Sequence, residues 1–273
     1  MIQRVLTASV GLPVLLAAVW WGGAWLAVLV ALAAVLGIRE FYRLLPAGAG
    51  TLPVVLGALW VVALIFGGQA SDGLDSFLTI SAVILGVGSF LSLLWLIAAY
   101  QGGQPLLAAA YLLGGGVCIG FLLAHGLALR DLGDAGSLGR DWLLVALLAV
   151  FASDTGAFFT GRALGRHSLA PNISPGKTWE GSAGGLGCAV LSVLVMGQLL
   201  ELGLPVWQQA VVGAAAGVAA QSGDLLESKL KRISSVKDTG SIIPGHGGIM
   251  DRLDSIVVSI PTVYYLVGAV FKP

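Results

Sequence analysis

Long apolar segments recur along this chain and constrain its fold more than any other feature. Nine of them, each roughly 16 to 25 residues long, follow one another along the chain. An α-helix of about 20 apolar residues crosses the ~30 Å hydrocarbon core of a bilayer and satisfies its own backbone hydrogen bonds there. A composition of 57% hydrophobic and 10% charged residues excludes a soluble globular domain. We therefore predict an all-α polytopic integral membrane protein with about nine transmembrane helices, at residues 5–21, 24–39, 53–70, 76–99, 105–129, 142–160, 181–203, 205–222 and 255–271.

Positive charge is distributed unevenly between the two predicted membrane faces. If the nine spans alternate in direction, eleven of the 14 Lys and Arg residues fall on the face that carries the N-terminus, and only Arg130, Arg140 and Lys272 fall on the other. Cytoplasmic loops carry most of the Lys and Arg residues in membrane proteins. We therefore predict that the N-terminus is cytoplasmic, together with the polar connections on the same face.

One membrane domain accounts for residues 1–273, because no internal repeat and no soluble segment interrupts the series of spans. We divide it into N-terminal helices (1–130) and C-terminal helices (140–273), which carry a catalytic site on the cytoplasmic face. Glycine pairs at 181/185 and 213/217 have the spacing that lets helices approach closely in lipid. Tight packing within the chain is one interpretation of these glycines, and a dimer contact is the other.

Charge is concentrated in one short part of the chain. Eight of the 28 charged residues fall between Ser228 and Ser255. Ionisable groups near hydrocarbon are costly unless they are paired or hydrated, so this density indicates a site. Five of the eight are basic and three are acidic. That mixture suits a polyphosphate bound together with a divalent metal ion.

Acidic residues in and before this segment form a candidate metal site. On a helix, Asp224 shares a face with Glu227 and Ser228, because residues three and four apart lie on the same side. Asp251 likewise shares a face with Asp254. Mg²⁺ is commonly held by one or two carboxylates plus phosphate oxygens and water, so one aspartate from each helix end would suffice. The alternative is that these carboxylates neutralise the neighbouring cations Lys229, Arg232 and Arg252.

A glycine-rich linker surrounds His246, which either donates to phosphate or braces the loop. Glycine and proline at this density forbid a regular helix and expose backbone N–H groups, the arrangement that binds phosphate in anion-binding nests. Alone, such a loop is equally well explained as an ordinary connection. Neighbouring cations favour phosphate binding, because a triphosphate requires several charge-assisted contacts. The loop residues are Gly240, Pro244, Gly245, Gly247 and Gly248, and the cations are Lys231, Arg232, Lys237 and Arg252.

Asp154 lies inside the sixth apolar segment, near its predicted cytoplasmic end. An aspartate within a span marks a candidate functional residue, because an unpaired one is costly there. The alternative is a helix-end residue that faces water or pairs with Arg162. A second basic cluster follows, in which residues 174–176 are predicted to form a turn before Lys177. This cluster, which either contacts substrate or is a solvated loop, comprises Arg162, Arg166, His167 and Lys177.

A spaced set of charged and glycine residues therefore stands near the C-terminus: Ser228, Lys231, Arg232, Lys237, Asp238, Gly240, Pro244, His246, Gly247, Gly248, Asp251, Arg252 and Asp254. Their identities and gaps resemble the signature of the phosphatidate cytidylyltransferases, also called CDP-diacylglycerol synthases. The strings SDTGAFFTGR, SPGKTWEG and REFYRL resemble further blocks of that family.

The resemblance implies transfer of a cytidylyl group from CTP to phosphatidic acid, which gives CDP-diacylglycerol and pyrophosphate in phospholipid biosynthesis. It also implies dependence on Mg²⁺, with a second cation left open, and a homodimer in the inner membrane whose active site faces the cytoplasm. CTP, phosphatidic acid and the lipid bilayer are the partners that follow, and a nucleic acid is not among them.

The resemblance also implies roles for individual residues. Asp224 and Asp251 are expected as metal ligands, and Asp254 either binds the metal as well or orients Arg252. Because the lipid phosphate is already an anion at neutral pH, no general base is assigned. Lys231, Arg232 and Lys237 complete the catalytic set with Asp224 and Asp251, and the expected substrate contacts are Asp154, Lys177, Ser228, His246, Gly247, Gly248 and Arg252.

Two other functions compete with this one. A transporter would be expected to show two corresponding interrupted helices in two repeated halves, whereas the polar residues here concentrate in the second half. A membrane lipid kinase would share much of the electrostatics but would transfer the γ-phosphoryl group. The sequence contains no G-x-x-x-x-G-K-[ST], H-E-x-x-H or G-x-S-x-G motif, which argues against those NTPase, zinc-protease and hydrolase mechanisms.

Overall fold

The computed structural model describes residues 2–45, 50–133, 137–240, 242 and 247–271, most of which lie in helices. Two π-helical stretches, Gly116–Phe121 and Leu266–Phe271, continue the helices before them. Two short strands, β1 (Ser168–Ala170) and β2 (Ser174–Thr178), lie between the helices that end at Leu164 and begin at Trp179. The α-helices are α1 (Ile2–Trp21), α2 (Gly23–Arg43), α3 (Thr51–Gln69), α4 (Leu74–Ala99), α5 (Pro105–Gly115), α6 (Leu122–Arg130), α7 (Ser137–Leu164), α8 (Trp179–Leu199), α9 (Val206–Ile233), α10 (Met250–Leu253) and α11 (Ile256–Tyr265).

Seven helical stretches in the described part of the chain are long and apolar enough to cross a membrane. They are α2, α3, α4, α7, α8 and the continuous stretches Pro105–Arg130 and Met250–Phe271. This agrees with the predicted polytopic membrane protein. Of the other two predicted spans, α1 contains a shorter apolar stretch, Ser9–Trp21, and α9 ends in a charged turn. The count of nine spans and the cytoplasmic N-terminus stay predictions.

The chain packs into two compact units. The first comprises Met1–Ala128 and Ile233–Leu253, and the second comprises Leu129–Arg232 and Asp254–Pro273. Each unit therefore combines segments that are far apart in sequence. The prediction of a single membrane domain that spans the whole chain stays a prediction.

A tryptophan organises part of the core of the first unit. Trp60 of α3 is buried, and its indole Nε1 donates to the carbonyl oxygen of Ile84 at 3.0 Å. A Cβ atom on either Gly88 or Gly116 would collide with the indole ring. The two glycines therefore form the slot that admits the largest side chain of α3, and α4 and the π-helical stretch pack closely around it.

Glycines also set the helix contacts of the second unit. A Cβ atom at Gly181 would lie 2.8 Å from the carbonyl oxygen of Ala157, and one at Gly185 would lie 2.7 Å from that of Ser153, so α8 packs closely on α7. The 213/217 pair of α9 meets α8 in the same way. Helix packing within the chain, the first interpretation of these glycines, is confirmed for both pairs.

A two-stranded hairpin between α7 and α8 carries Lys177. Its strands pair antiparallel, with Ser168 opposite Thr178 and Ala170 opposite Ser174. The predicted turn at residues 174–176 is wrong: those residues begin β2, and the turn lies at 171–173 instead. The physical reason is the pairing with β1, which holds Ser174 extended and which the local sequence does not encode.

The hairpin is fixed at its base by two side chains of the α8 N-terminus. The Thr178 hydroxyl accepts from the backbone N–H of Gly181 at 3.1 Å and caps the helix. Glu180 Oε2 accepts from the N–H groups of Arg166 at 3.1 Å and His167 at 3.3 Å, and Glu180 Oε1 lies 2.6 Å from His167 Nδ1. Lys177 therefore directly precedes the capping residue Thr178, and its backbone is fixed by the start of α8.

Candidate active site

Three carboxylates converge in the second unit and form an acidic cluster. Asp224 and Glu227 lie on one face of α9, and Asp254 follows α10. One carboxylate oxygen from each of the three lies within 4.8 Å of the others. A Cβ atom at Gly223 would collide with the carbonyl oxygen of Asp254. The absence of a side chain at position 223 therefore lets the backbone of Asp254 approach α9.

Two lysines lie against the acidic cluster. Lys177 Nζ lies 2.6 Å from Asp224 Oδ2, and Lys231 Nζ lies 2.8 Å from Glu227 Oε2, one turn later on α9. Glu227 is buried, with 3% exposure, so its pairing with Lys231 offsets part of the cost of desolvating a carboxylate. If all five groups are ionised, three carboxylates face two ammonium groups, and the excess negative charge favours a further cation.

The donor set of the acidic cluster fits a hard divalent cation. All three groups are carboxylates, and Mg²⁺ prefers carboxylate, water and phosphate oxygens. Asp224 and Asp254 are only half-buried, so water or a phosphate oxygen can reach them. The structure brings together these two of the three predicted metal ligands, and their metal role stays a prediction. Sequence analysis did not select Glu227 as a ligand, although its spacing from Asp224 was a usable signal.

A cavity of about 440 Å³ lies beside the acidic cluster and shares Asp224 with it. Asp154 and Arg162 line the cavity from α7, Lys177 lines it from β2, and Gln221 lines it from α9. Asp154, Lys177 and Asp224, which are distant in sequence, therefore face one space. This is the composite arrangement expected for a substrate site. The substrate contacts themselves stay predictions.

Asp251 belongs to the first unit, where three donors hold one of its oxygens. Its Oδ2 accepts from the N–H of Gly248 at 2.8 Å, the N–H of Thr239 at 3.2 Å and the hydroxyl of Thr239 at 3.1 Å. Gly247 has φ +82°, a left-handed conformation that favours glycine. These glycines shape the chain around a carboxylate of their own segment. The predicted phosphate contacts of Gly247 and Gly248, and the predicted role of Asp251 as a metal ligand together with Asp224, stay predictions.

The other predicted site residues do not share one environment: some make hydrogen bonds within the second unit, and others are exposed. Arg232 Nε donates to the carbonyl oxygen of Ile173 at 3.2 Å and so connects α9 to the hairpin turn. The Ser228 hydroxyl donates to Asp224 Oδ1 at 3.4 Å. Lys237 and Arg252 are exposed. His246, with Pro244 and Gly245, lies outside the described residues.

Comparison with known proteins agrees with the resemblance predicted from the signature. The cytidylyltransferase family model matches residues 2–270. Relatives in Staphylococcus epidermidis and Staphylococcus haemolyticus are each 32% identical over 273 residues, covering 96% of this chain and 97% of the relative. A relative in Staphylococcus aureus is 31% identical with the same coverage. All three relatives are named phosphatidate cytidylyltransferase.

The chain belongs to the cytidylyltransferase family. The predicted class of enzyme, a nucleotidyltransferase, is thereby confirmed. The match runs through the apolar first half as well as the charged second half. The family membership therefore extends to the membrane helices and is not confined to the signature.

Proposed function

We propose that this protein transfers a cytidylyl group from CTP to phosphatidic acid and releases CDP-diacylglycerol and pyrophosphate in a Mg²⁺-dependent reaction. The observation that carries this proposal is the acidic cluster of Asp224, Glu227 and Asp254, which meets the cavity at Asp224 and its partner Lys177. The name shared by the staphylococcal relatives supports phosphatidic acid as the acceptor.

The cavity lining suits a ligand that has both phosphate and apolar parts. Phe158 and Leu169 lie beside Arg162 and Lys177 in its wall. Phe158 belongs to α7, a helix apolar enough to cross a membrane. A lipid phosphate could therefore reach the two cations while its acyl chains stay in the hydrocarbon. We place this face in the cytoplasm, where CTP is available, and the protein in the inner membrane as a homodimer.

The carboxylates would hold the metal ion. Asp224 and Asp254 are the proposed ligands within the acidic cluster, with Asp251 as a further ligand and Glu227 as a fourth candidate. When bound, Mg²⁺ supplies positive charge against the phosphate oxygens of CTP. Until such an ion is bound, Lys177 and Lys231 neutralise part of the same negative charge. A second cation remains part of the hypothesis.

The reaction needs little covalent chemistry from the protein. A phosphate oxygen of phosphatidic acid forms a bond to the α-phosphorus of CTP, the bond from that phosphorus to the bridging oxygen of the β-phosphate breaks, and pyrophosphate leaves with the electron pair. The nucleophile is an anion, so no side chain must take a proton from it. Cations would align the triphosphate and stabilise the leaving group. The proposed phosphate contacts are Lys177, Lys231, Arg232, Lys237, His246 and Arg252, with Ser228, Gly247, Gly248 and Asp154 as further substrate contacts.

One assay with two labelled nucleotides tests the proposal. Purified protein in detergent is incubated with phosphatidic acid, Mg²⁺ and CTP labelled either at the α- or at the γ-phosphate. A cytidylyltransferase transfers the α-label, but not the γ-label, to the organic phase, and it releases γ-labelled pyrophosphate. A lipid kinase would do the reverse. The proposal is wrong if a folded sample transfers neither label, or transfers the γ-label.

A further inference from the structure

Glu40 is a fully buried carboxylate in the first unit. It belongs to α2, an apolar helix, and has 0% exposure. Its Oε2 accepts from the backbone N–H of Met250 at 3.0 Å and from the hydroxyl of Thr239 at 3.3 Å. A buried carboxylate is costly unless its acceptors are used. Both of these donors lie about 200 residues further along the chain, so the carboxylate serves a contact between distant segments rather than α2 itself.

Both ends of the segment from Thr239 to Met250 lie against the Glu40 carboxylate. A Cβ atom at Gly240 would collide with Glu40 Oε1, and one at Gly248 would collide with Glu40 Oε2. A side chain at either position would displace the Glu40 carboxylate, so the two glycines let the backbone approach it closely. Glu40 therefore occupies the gap between the start and the end of the segment.

Thr239 connects Glu40 to Asp251. Its hydroxyl lies 3.3 Å from Glu40 Oε2 and 3.1 Å from Asp251 Oδ2. A hydroxyl has one proton and donates to one of the two carboxylates at a time. The N–H of Thr239 and the N–H of Gly248 donate to Asp251 Oδ2 in addition. Asp251 therefore keeps two backbone donors even while the hydroxyl serves Glu40.

We propose that Glu40 is a positioning residue, which holds the ends of the 239–250 segment together and thereby orients Asp251. Thr239 and Gly248, which donate hydrogen bonds to Asp251 Oδ2, also lie against Glu40. Loss of the Glu40 carboxylate removes the acceptor of the Met250 N–H and frees the Thr239 hydroxyl. The two ends that supply the donors to Asp251 are then no longer held together, so Asp251 keeps its carboxylate but is less firmly oriented. The inference rests on the proposed function to the extent that Asp251 is a metal ligand.

The test compares Glu40→Met with Tyr42→Phe in the full-length protein; methionine has a similar length and removes both carboxylate oxygens, whereas glutamine would keep a carbonyl oxygen that could still accept from Met250 and Thr239. Tyr42 is two residues away on α2, equally buried, and its hydroxyl donates to the carbonyl oxygen of Leu112 at 2.9 Å, so this control removes a buried hydrogen bond without touching the segment. Binding of Mn²⁺, a spectroscopic probe for the magnesium site, is followed by electron paramagnetic resonance. Turnover is measured as a function of Mg²⁺ concentration with the α-labelled CTP assay.

Glu40→Met is expected to weaken Mn²⁺ binding, and to raise the Mg²⁺ concentration for half-maximal turnover, by about 10- to 100-fold, the range typical of residues that orient a metal ligand. Tyr42→Phe is expected to leave both values unchanged. If Glu40→Met does not fold, Thr239→Val takes its place, since it removes the connecting hydroxyl at nearly constant volume, and a smaller shift in the same direction is expected. Equal metal dependence of the wild type and the variant tested would overturn the inference. Absence of lipid labelling by the wild type would instead overturn the proposed function.

Discussion

Replacing Lys177 with methionine removes one positive charge and keeps most of the apolar stem. In the structure, Lys177 Nζ lies 2.6 Å from Asp224 Oδ2, with side-chain exposures of 25% and 35%. Ion pairs that water can reach contribute about 0.2 to 1 kcal/mol to stability. The free energy of unfolding of Lys177→Met should therefore fall by about 1 kcal/mol at most.

Turnover should respond far more strongly than stability. Lys177 lines the cavity next to the acidic cluster, where its ammonium group is proposed to contact phosphate. Removal of one preorganised donor that stabilises charge in a transition state costs about 10²- to 10³-fold in kcat. We expect a loss of that size in the α-labelled CTP assay at saturating Mg²⁺, with the thermal unfolding temperature nearly unchanged.

Lys229→Met is the matched control, because Lys229 is an exposed lysine of α9 and its loss changes the net charge equally. It should stay within about twofold of wild-type turnover, the range expected for a surface substitution. If both variants lost activity to the same extent, net charge would explain the result and Lys177 would have no special position. Retention of most of the wild-type kcat by Lys177→Met would also refute the reasoning.

Two further substitutions and the removal of divalent metal test the rest of the site. Asp251→Asn should abolish turnover while leaving the elution volume in size-exclusion chromatography intact, and near-normal activity would contradict its metal role. Gly223→Ala would force a Cβ atom into the carbonyl oxygen of Asp254, so it should destabilise the protein by about 1–3 kcal/mol and reduce turnover, whereas Gly187→Ala, with open space around its Cβ, should do neither. Chelation of divalent metal should stop lipid labelling, and added Mg²⁺ should restore it; labelling that persists in the chelator would argue against a metal-dependent reaction.

Local sequence was sufficient to locate the helices, because a bilayer imposes its requirement residue by residue. Each of the nine predicted spans overlaps a helix or a continuous helical stretch, and seven of these stretches in the described residues are long and apolar enough to cross a membrane. The glycine pair 181/185 was likewise interpretable from spacing alone, since small residues four apart lie on one face of a helix. The β1–β2 hairpin could not be predicted from local sequence, because the extended backbone of Ser174 depends on its pairing with Ala170.

The candidate site was only partly visible before the fold was known. The signature contains Asp251 and Asp254, and Asp224 was added from its position just before the signature and from the resemblance to the family. It gave no indication that Lys177 would meet Asp224, from which it is separated by the whole of α8 and the first part of α9. Helical spacing placed Glu227 on the same face as Asp224, but its burial and its ion pair with Lys231 became visible only in the structure.

The sequence by itself determined that this protein is a polytopic membrane protein of the cytidylyltransferase family, because hydropathy and a spaced signature are local properties of the chain. Only the tertiary structure decided which charges share a space. It placed Asp254 beside Asp224 and Glu227, and it buried Glu40 between two ends of a segment about 200 residues away. The physical reason is that desolvated charges are stable only with partners, and packing of distant helices and loops selects those partners.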